Sequence, residues 1–265
     1  MCTIVLAWQV FDGTPVAVAA NRDERLDRPS QPPQQRHWGS RVVAPADEEA
    51  DGTWIGYNEH GLLAAVTNRW VDADLAGDRS RGLLVRDALS HESAESAARA
   101  VEQATRDAEY SGFNLLLADE NAAVLLEWDG QLAVRNFQPG VHVVVNVGAD
   151  GDYRIPAHRP DAGEEQANNA TRLREALVPE PVNPPANGWT VRATPSATTS
   201  TVSASTATGS ARGRRRSSRW VPTGSTGTQM GHRAGRLPPG RRSDLSGRLT
   251  VYTIHEFSSV GGGPF

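Results

Sequence analysis

Short apolar runs broken by turn residues fill the first two thirds of the chain. "CTIVLAWQV" and "PVAVAAN" flank Asp12-Gly13, a turn dipeptide between two apolar runs, and predict a β-hairpin. "RVVAPA", "TWIGYN" and "LLAAVTN" predict short strands, the last two joined across "EHG". The period then changes. Leu83, Leu84, Ala88 and Leu89 in "SRGLLVRDALS" recur at helical spacing. "SAESAARAVEQATRDA" predicts a second helix, with Ser93 placed to cap it. "FNLLLADENAAVLLEWDGQLAVRNF" predicts three strands with turns at Asp119–Asn121 and Asp129-Gly130. "VHVVVNV" predicts a buried strand, and "NNATRLREAL" a last helix. Strands, helices and strands again predict an α+β layered sandwich over residues 1–181.

Residues 182–265 lack this patterning. "TPSATTSTVSASTATGSARGRRRSSRW" has no period and almost no large apolar residues. Such a stretch buries too little surface to offset its ordering entropy. Most of 186–265 is predicted to be disordered.

Charge divides the chain at the same place. Residues 1–181 carry 29 Asp and Glu against 16 Arg, and residues 182–265 carry 2 against 11. The chain has no lysine. An acidic, lysine-free body suggests a GC-rich gene and a halophilic prokaryote. Codon bias alone accounts for it equally well. No window has the length and apolarity of a transmembrane span, and the start lacks the basic region of a signal peptide. The expected location is cytoplasmic, with no membrane partner.

Cys2 is the only cysteine, which excludes an internal disulfide and a multi-cysteine metal site. The seven histidines show no metal-ligand spacing, and no Walker or Rossmann glycine pattern occurs. No metal or cofactor is expected. A small residue after Met1 permits removal of Met1. Cys2 would then carry a thiol and an α-amine on one residue, and the neutral amine could take the thiol's proton. That is the chemistry of N-terminal-nucleophile amidases. An incidental buried cysteine is the alternative. "NRDE", Asn21 to Glu24, follows the second strand of the hairpin and can lie near Cys2. Trp54 and Trp70 read as core or pocket wall rather than cofactor ligands.

The Met-Cys-Thr start, "NRDE" after the first hairpin, and "GTWIGYNEHGLLAAVTNR" together resemble the NRDE family, also called the transport and Golgi organization protein 2 family. The resemblance spans about residues 1–181. It implies the αββα sandwich of N-terminal-nucleophile hydrolases, and the same start is shared with choloylglycine hydrolases and penicillin V acylases. By position, the resemblance makes Cys2 the nucleophile and Asp23 the holder of its amine. It makes Asn68 and Asn146 donors to the oxyanion. Asn21, Arg22 and Glu24 become candidate ligand-binding residues, with Arg22 suited to a carboxylate or phosphate. The implied function is hydrolysis of a linear amide or thioester. A non-catalytic alternative on the same fold binds or traffics an acyl-CoA, haem or similar ligand. The expected partner is a small molecule, not nucleic acid.

Two segments usual in the family, Gly-Val-Cys-Val and Gly-Thr-Arg-Ser, do not occur here. Reading "TTSTVSASTATGSARGRRRSS" back by one base permits His-Glu-Tyr-Gly-Val-Cys-Val-His-Gly-Asp-Gly-Phe-Gly-Thr-Arg-Ser-Ser-Ser-Leu-Val, which resembles both. A frameshift within residues 181–189 would explain the change of composition. It would leave the sandwich truncated and its activity doubtful. The rival is a genuine Arg-rich tail whose cluster contacts nucleic acid or an acidic partner.

Overall fold

A computed structural model describes residues 1–24, 28–177 and the backbone of residues 248–254. The hairpin forms first, from β1 (Thr3–Phe11) and β2 (Thr14–Arg22). β3 (Ser30–Trp38), β4 (Ser40–Asp47), β5 (Ile55–Asn58) and β6 (Leu63–Asn68) follow. Two helices come next, α1 (Arg81–Ala88) and α2 (Ala94–Asp107). Then come β7 (Phe113–Ala118), β8 (Ala123–Trp128), β9 (Leu132–Asn136) and β10 (Gly140–Val145). β11 (Gly148–Ala149), β12 (Asp152–Tyr153), α3 (Pro160–Ala176) and β13 (Arg248–Ile254) complete the order.

Two antiparallel sheets result. One has the order β12-β11-β10-β1-β2-β13 and the other β3-β4-β5-β6-β7-β8-β9. Alternation along each strand decides what lies on each face. In β1, Ile4, Leu6 and Trp8 point toward the second sheet and pack with Ile55, Leu63, Leu116 and Leu125. Val5 and Ala7 point the other way, onto Ala167 and Ala170 of α3. The outer face of the second sheet, with Val42, Ala64 and Leu115, is covered by Leu84 and Val85 of α1 and Val101 of α2. The layers therefore run α3, sheet, sheet, α1 with α2. This is an α+β fold in four αββα layers.

Helix starts follow local chemistry. The Ser80 side chain accepts from the Gly82 N–H at the start of α1. Ser93 and Ser96 form a reciprocal cap on α2. α3 begins at Pro160, earlier than "NNATRLREAL" suggests, and no side chain caps it. β3 is a strand that the sequence pattern does not reveal. It reads "SQPPQQRHW", lies at a sheet edge, and carries its prolines beside a register shift between Gln31 and Gln34. β13 extends the first sheet by pairing with β2, Arg248 opposite Arg22. Apart from β13, the expected disorder and altered reading frame of the C-terminal region fall outside the described residues. Among the described residues, no helix is long and apolar enough to cross a membrane.

Candidate active site

Register builds the site. β1 lies between β2 and β10, and Thr3 opposes Asn21 on one side and Val145 on the other. One step further along each ladder, Cys2 meets the end of β2 and Asn146, the residue after β10. The Cys2 N–H donates to Asn146 Oδ1 at 3.0 Å. The Asp23 N–H points to Cys2 Sγ at 3.4 Å, and the thiol lies 3.9 Å from the Asp23 carbonyl. The Met1 ammonium pairs with the Asp23 carboxylate.

Asn146 is 2% exposed and its amide is engaged at both ends. Oδ1 also accepts from Gln166 Nε2 at 2.8 Å, while Nδ2 donates to the Asn68 carbonyl at 2.7 Å. Asn146 thus acts on residue 2 as an acceptor, where the resemblance implies a donor to an oxyanion. Asn68 enters through its backbone, at the exposed end of β6. Its backbone is tied in further by Trp70, two residues on, whose N–H donates to the Asn146 carbonyl at 2.9 Å.

The NRDE residues spread outward from Cys2. Asn21 lines a small cavity of about 20 Å³ together with Cys2, Arg22, Trp54 and Thr67. Its buried Oδ1 makes no hydrogen bond among the described residues. The Arg22 guanidinium stacks 3.9 Å over Trp54 and lies 3.5 Å from both Glu24 and Asp47. Glu24 also lies 3.9 Å from Arg28. Asp47, buried, accepts from Arg28 Nε at 2.8 Å and from the Glu49 and Ala50 N–H groups. Burial alone would push its carboxyl up, but these bonds hold it below the usual range.

The Cys2 thiol is pushed above its ordinary value by burial. The N-terminal ammonium, Arg22 and Arg81 pull it the other way, and Glu24 adds to the rise. Arg81 and Gln166 are participants that sequence reasoning does not find. Gln166, on α3 and 2% exposed, also donates to the Cys2 carbonyl at 3.3 Å. Nothing in "GEEQANNA" singles it out, and Arg81 reads in sequence only as a residue at the start of a helix. Among the described residues, no cluster of His, Cys, Asp and Glu could hold a metal ion.

The chain is 34% identical to a mouse Transport and Golgi organization 2 homolog over 131 residues, 45% of each chain. It is 34% identical to the human homolog over 136 residues, 46% of this chain and 47% of that one. The chain spans about half the length of the curated relatives it matches. Among solved structures it is similar to a penicillin V acylase from Agrobacterium tumefaciens. The TM-score is 0.36 at 16% identity, covering 59% of this chain and 53% of that one. An N-acylethanolamine-hydrolyzing acid amidase ortholog from Caenorhabditis elegans gives 0.40 at 14%, covering 55% and 70%. The family profile described as Transport and Golgi organisation 2 matches residues 1–183. The match takes in Cys2, the NRDE segment, Asn68, Asn146 and Gln166, and the chain belongs to the Transport and Golgi organisation 2 family.

Proposed function

We propose that the protein is an N-terminal-nucleophile hydrolase of linear amide or thioester bonds. The observation that carries this reading is the grip on residue 2, with its nitrogen on Asn146 Oδ1 and its thiol on the Asp23 N–H, beside a cavity. Removal of Met1 turns that nitrogen into the α-amine. It also takes away the cation paired with Asp23, whose carboxylate then faces the Cys2 amine and stabilises the ammonium formed when that amine accepts a proton. The neutral amine takes the thiol proton, and the thiolate attacks the substrate carbonyl carbon. The C–N or C–S bond breaks, the ammonium returns its proton to the leaving amine or thiol, and an acyl-Cys2 thioester forms. Water, deprotonated by the same amine, releases the carboxylic acid and restores the thiol. Asn146 and Gln166 fix the amine.

The test is turnover of linear acyl amides and acyl thioesters, with mass spectrometry for the acyl-enzyme. Cys2→Ala abolishes both. Unchanged turnover in that variant overturns the reading.

A second reading is favoured by the cavity at Cys2, which holds about one water. A binding or trafficking protein needs no acyl chain there, and burial holds the thiol in its neutral form. Thermal-shift measurements with acyl-CoAs, haem and bile acids separate the two, because binding without turnover survives Cys2→Ala. Intact mass adds a check, since a retained Met1 blocks the amine.

A further inference from the structure

A larger cavity, about 240 Å³ and open to solvent, lies where the end of β6 meets the starts of α1 and α3. Its lining includes Arg69, Trp70, Asp74, Arg81, His158 and Arg159. Two of these basic side chains already face a carboxylate. Arg69 Nη1 lies 2.6 Å from Glu127 Oε1, and His158 Nδ1 lies 3.0 Å from Asp72.

Arg81 and Arg159 are not matched in this way. Neither forms an ion pair with a described carboxylate, although the Glu24 charge acts on Arg81 from a distance and Asp74 shares the cavity wall. Arg81 Nη1 donates to the Gly112 carbonyl at 2.8 Å, and Arg159 sits 5.0 Å over the Trp70 ring. Arg81 is the first residue of α1, and Arg159 immediately precedes α3. The positive ends of two helices thus add to two guanidinium groups at one cavity. Arg22, the anion-binding candidate from the sequence, already faces two carboxylates. Trp70, in the lining, donates its N–H to the Asn146 carbonyl, and Asn146 Oδ1 accepts the Cys2 N–H, so one residue joins the cavity wall to the nucleophile.

We infer that this cavity binds an anionic oxygen group, carboxylate or phosphate, of the small molecule whose acyl carbon is presented to Cys2. The link to Cys2 rests on the proposed function. Binding of the anion does not.

The experiment uses the lone thiol as reporter and needs no turnover. Alkylation of the full chain by iodoacetate, an anion, is compared with alkylation by neutral iodoacetamide. The expected iodoacetate-to-iodoacetamide rate ratio exceeds that of free cysteine. Arg81→Gln lowers it about tenfold, the loss of one charge-assisted hydrogen bond. Arg159 is exposed, so Arg159→Gln leaves the fold intact and lowers the ratio as well. Inorganic phosphate and acetate compete with iodoacetate, and the one effective at lower concentration identifies the anionic group. A wild-type ratio no higher than that of free cysteine, or a ratio unmoved by both substitutions, overturns the proposal. Unchanged turnover in Cys2→Ala bears on the proposed reaction alone, whereas the alkylation ratio needs no turnover and reads the anion site together with its reach to Cys2.

Discussion

Asn146 Oδ1 accepts the N–H of Cys2 at 3.0 Å, tying together residues 144 positions apart. The same amide holds Gln166 of the outer helix and the carbonyl of Asn68 in the facing sheet. Three layers of the sandwich therefore meet on one side chain. Asn146→Ala leaves the part-buried Cys2 N–H and Asn68 carbonyl without this partner, and leaves Gln166 Nε2 with only the Cys2 carbonyl. The expected loss is about 1–3 kcal/mol in urea or thermal unfolding. Cys2 should also alkylate faster in the variant, since its backbone is no longer fixed. Unchanged stability and alkylation rate would show that the amide is incidental.

The raised thiol of Cys2 gives a pH prediction with a definite sign. In the unfolded chain the thiol ionises near its ordinary value of 9.0, and in the fold it ionises higher. Its contribution to stability is fully present below the unfolded value and is lost as pH rises through the folded one. Tyr57, pushed up to about 12 by burial, adds a loss of the same sign above its ordinary 10. The thiol's share is the difference between wild type and Cys2→Ser in urea unfolding at alkaline pH. Iodoacetamide alkylation should have its midpoint above 9.0. Arg22→Gln should move that midpoint further up, because a nearby positive charge is removed.

The strands around Cys2 were legible because they are central and their apolar runs are uninterrupted, as in "CTIVLAWQV" and "VHVVVNV". Their ends then follow from register, which is why Cys2, Asp23 and Asn146 meet. β3 was not legible, because an edge strand can be polar and carry prolines without losing its single ladder. β11 and β12 have two residues each and leave no pattern at all. Gln166, Arg81 and Arg159 depend on where helices dock. No local period encodes that, so an amphipathic helix announces its buried face but not its neighbour at each end.

A buried charge network gives a larger stability effect than any surface pair. Arg69 Nη1 bonds Asn114 Oδ1 at 2.8 Å and Glu127 Oε1 at 2.6 Å, and Arg135 Nη2 reaches Glu127 Oε2 at 2.8 Å. Asn114 Nδ2 crosses to the other sheet and donates to the Val145 carbonyl at 2.8 Å. Glu127→Ala strands the Arg69 charge in the interior, for an expected loss of about 3–5 kcal/mol. Glu102→Ala removes an exposed i,i+4 partner of Arg106 and should cost about 0.3–0.5 kcal/mol. Urea midpoints of the two variants test the contrast.

Gly52 couples the loop between β4 and β5 to the cavity at Arg81. A Cβ at residue 52 would lie 2.3 Å from the Gly82 carbonyl carbon and 2.7 Å from the Leu83 nitrogen. Both are backbone atoms, so relief requires the start of α1 to move. The Thr53 N–H also donates to the Gly82 carbonyl at 3.0 Å, and that bond would stretch with it. Gly52→Ala is expected to cost about 1–3 kcal/mol, as overpacking does. Arg81 is adjacent to Gly82, so the same shift displaces its guanidinium from the Gly112 carbonyl. The variant should therefore lose thermal stability and also show a reduced iodoacetate-to-iodoacetamide ratio at Cys2. Gly61→Ala is the control, since a Cβ there meets nothing within 4 Å. It sits at a positive φ of 80°, so it carries backbone strain without moving α1. A loss of stability in both variants with a changed ratio only in Gly52→Ala would separate displacement of Arg81 from general weakening of the fold.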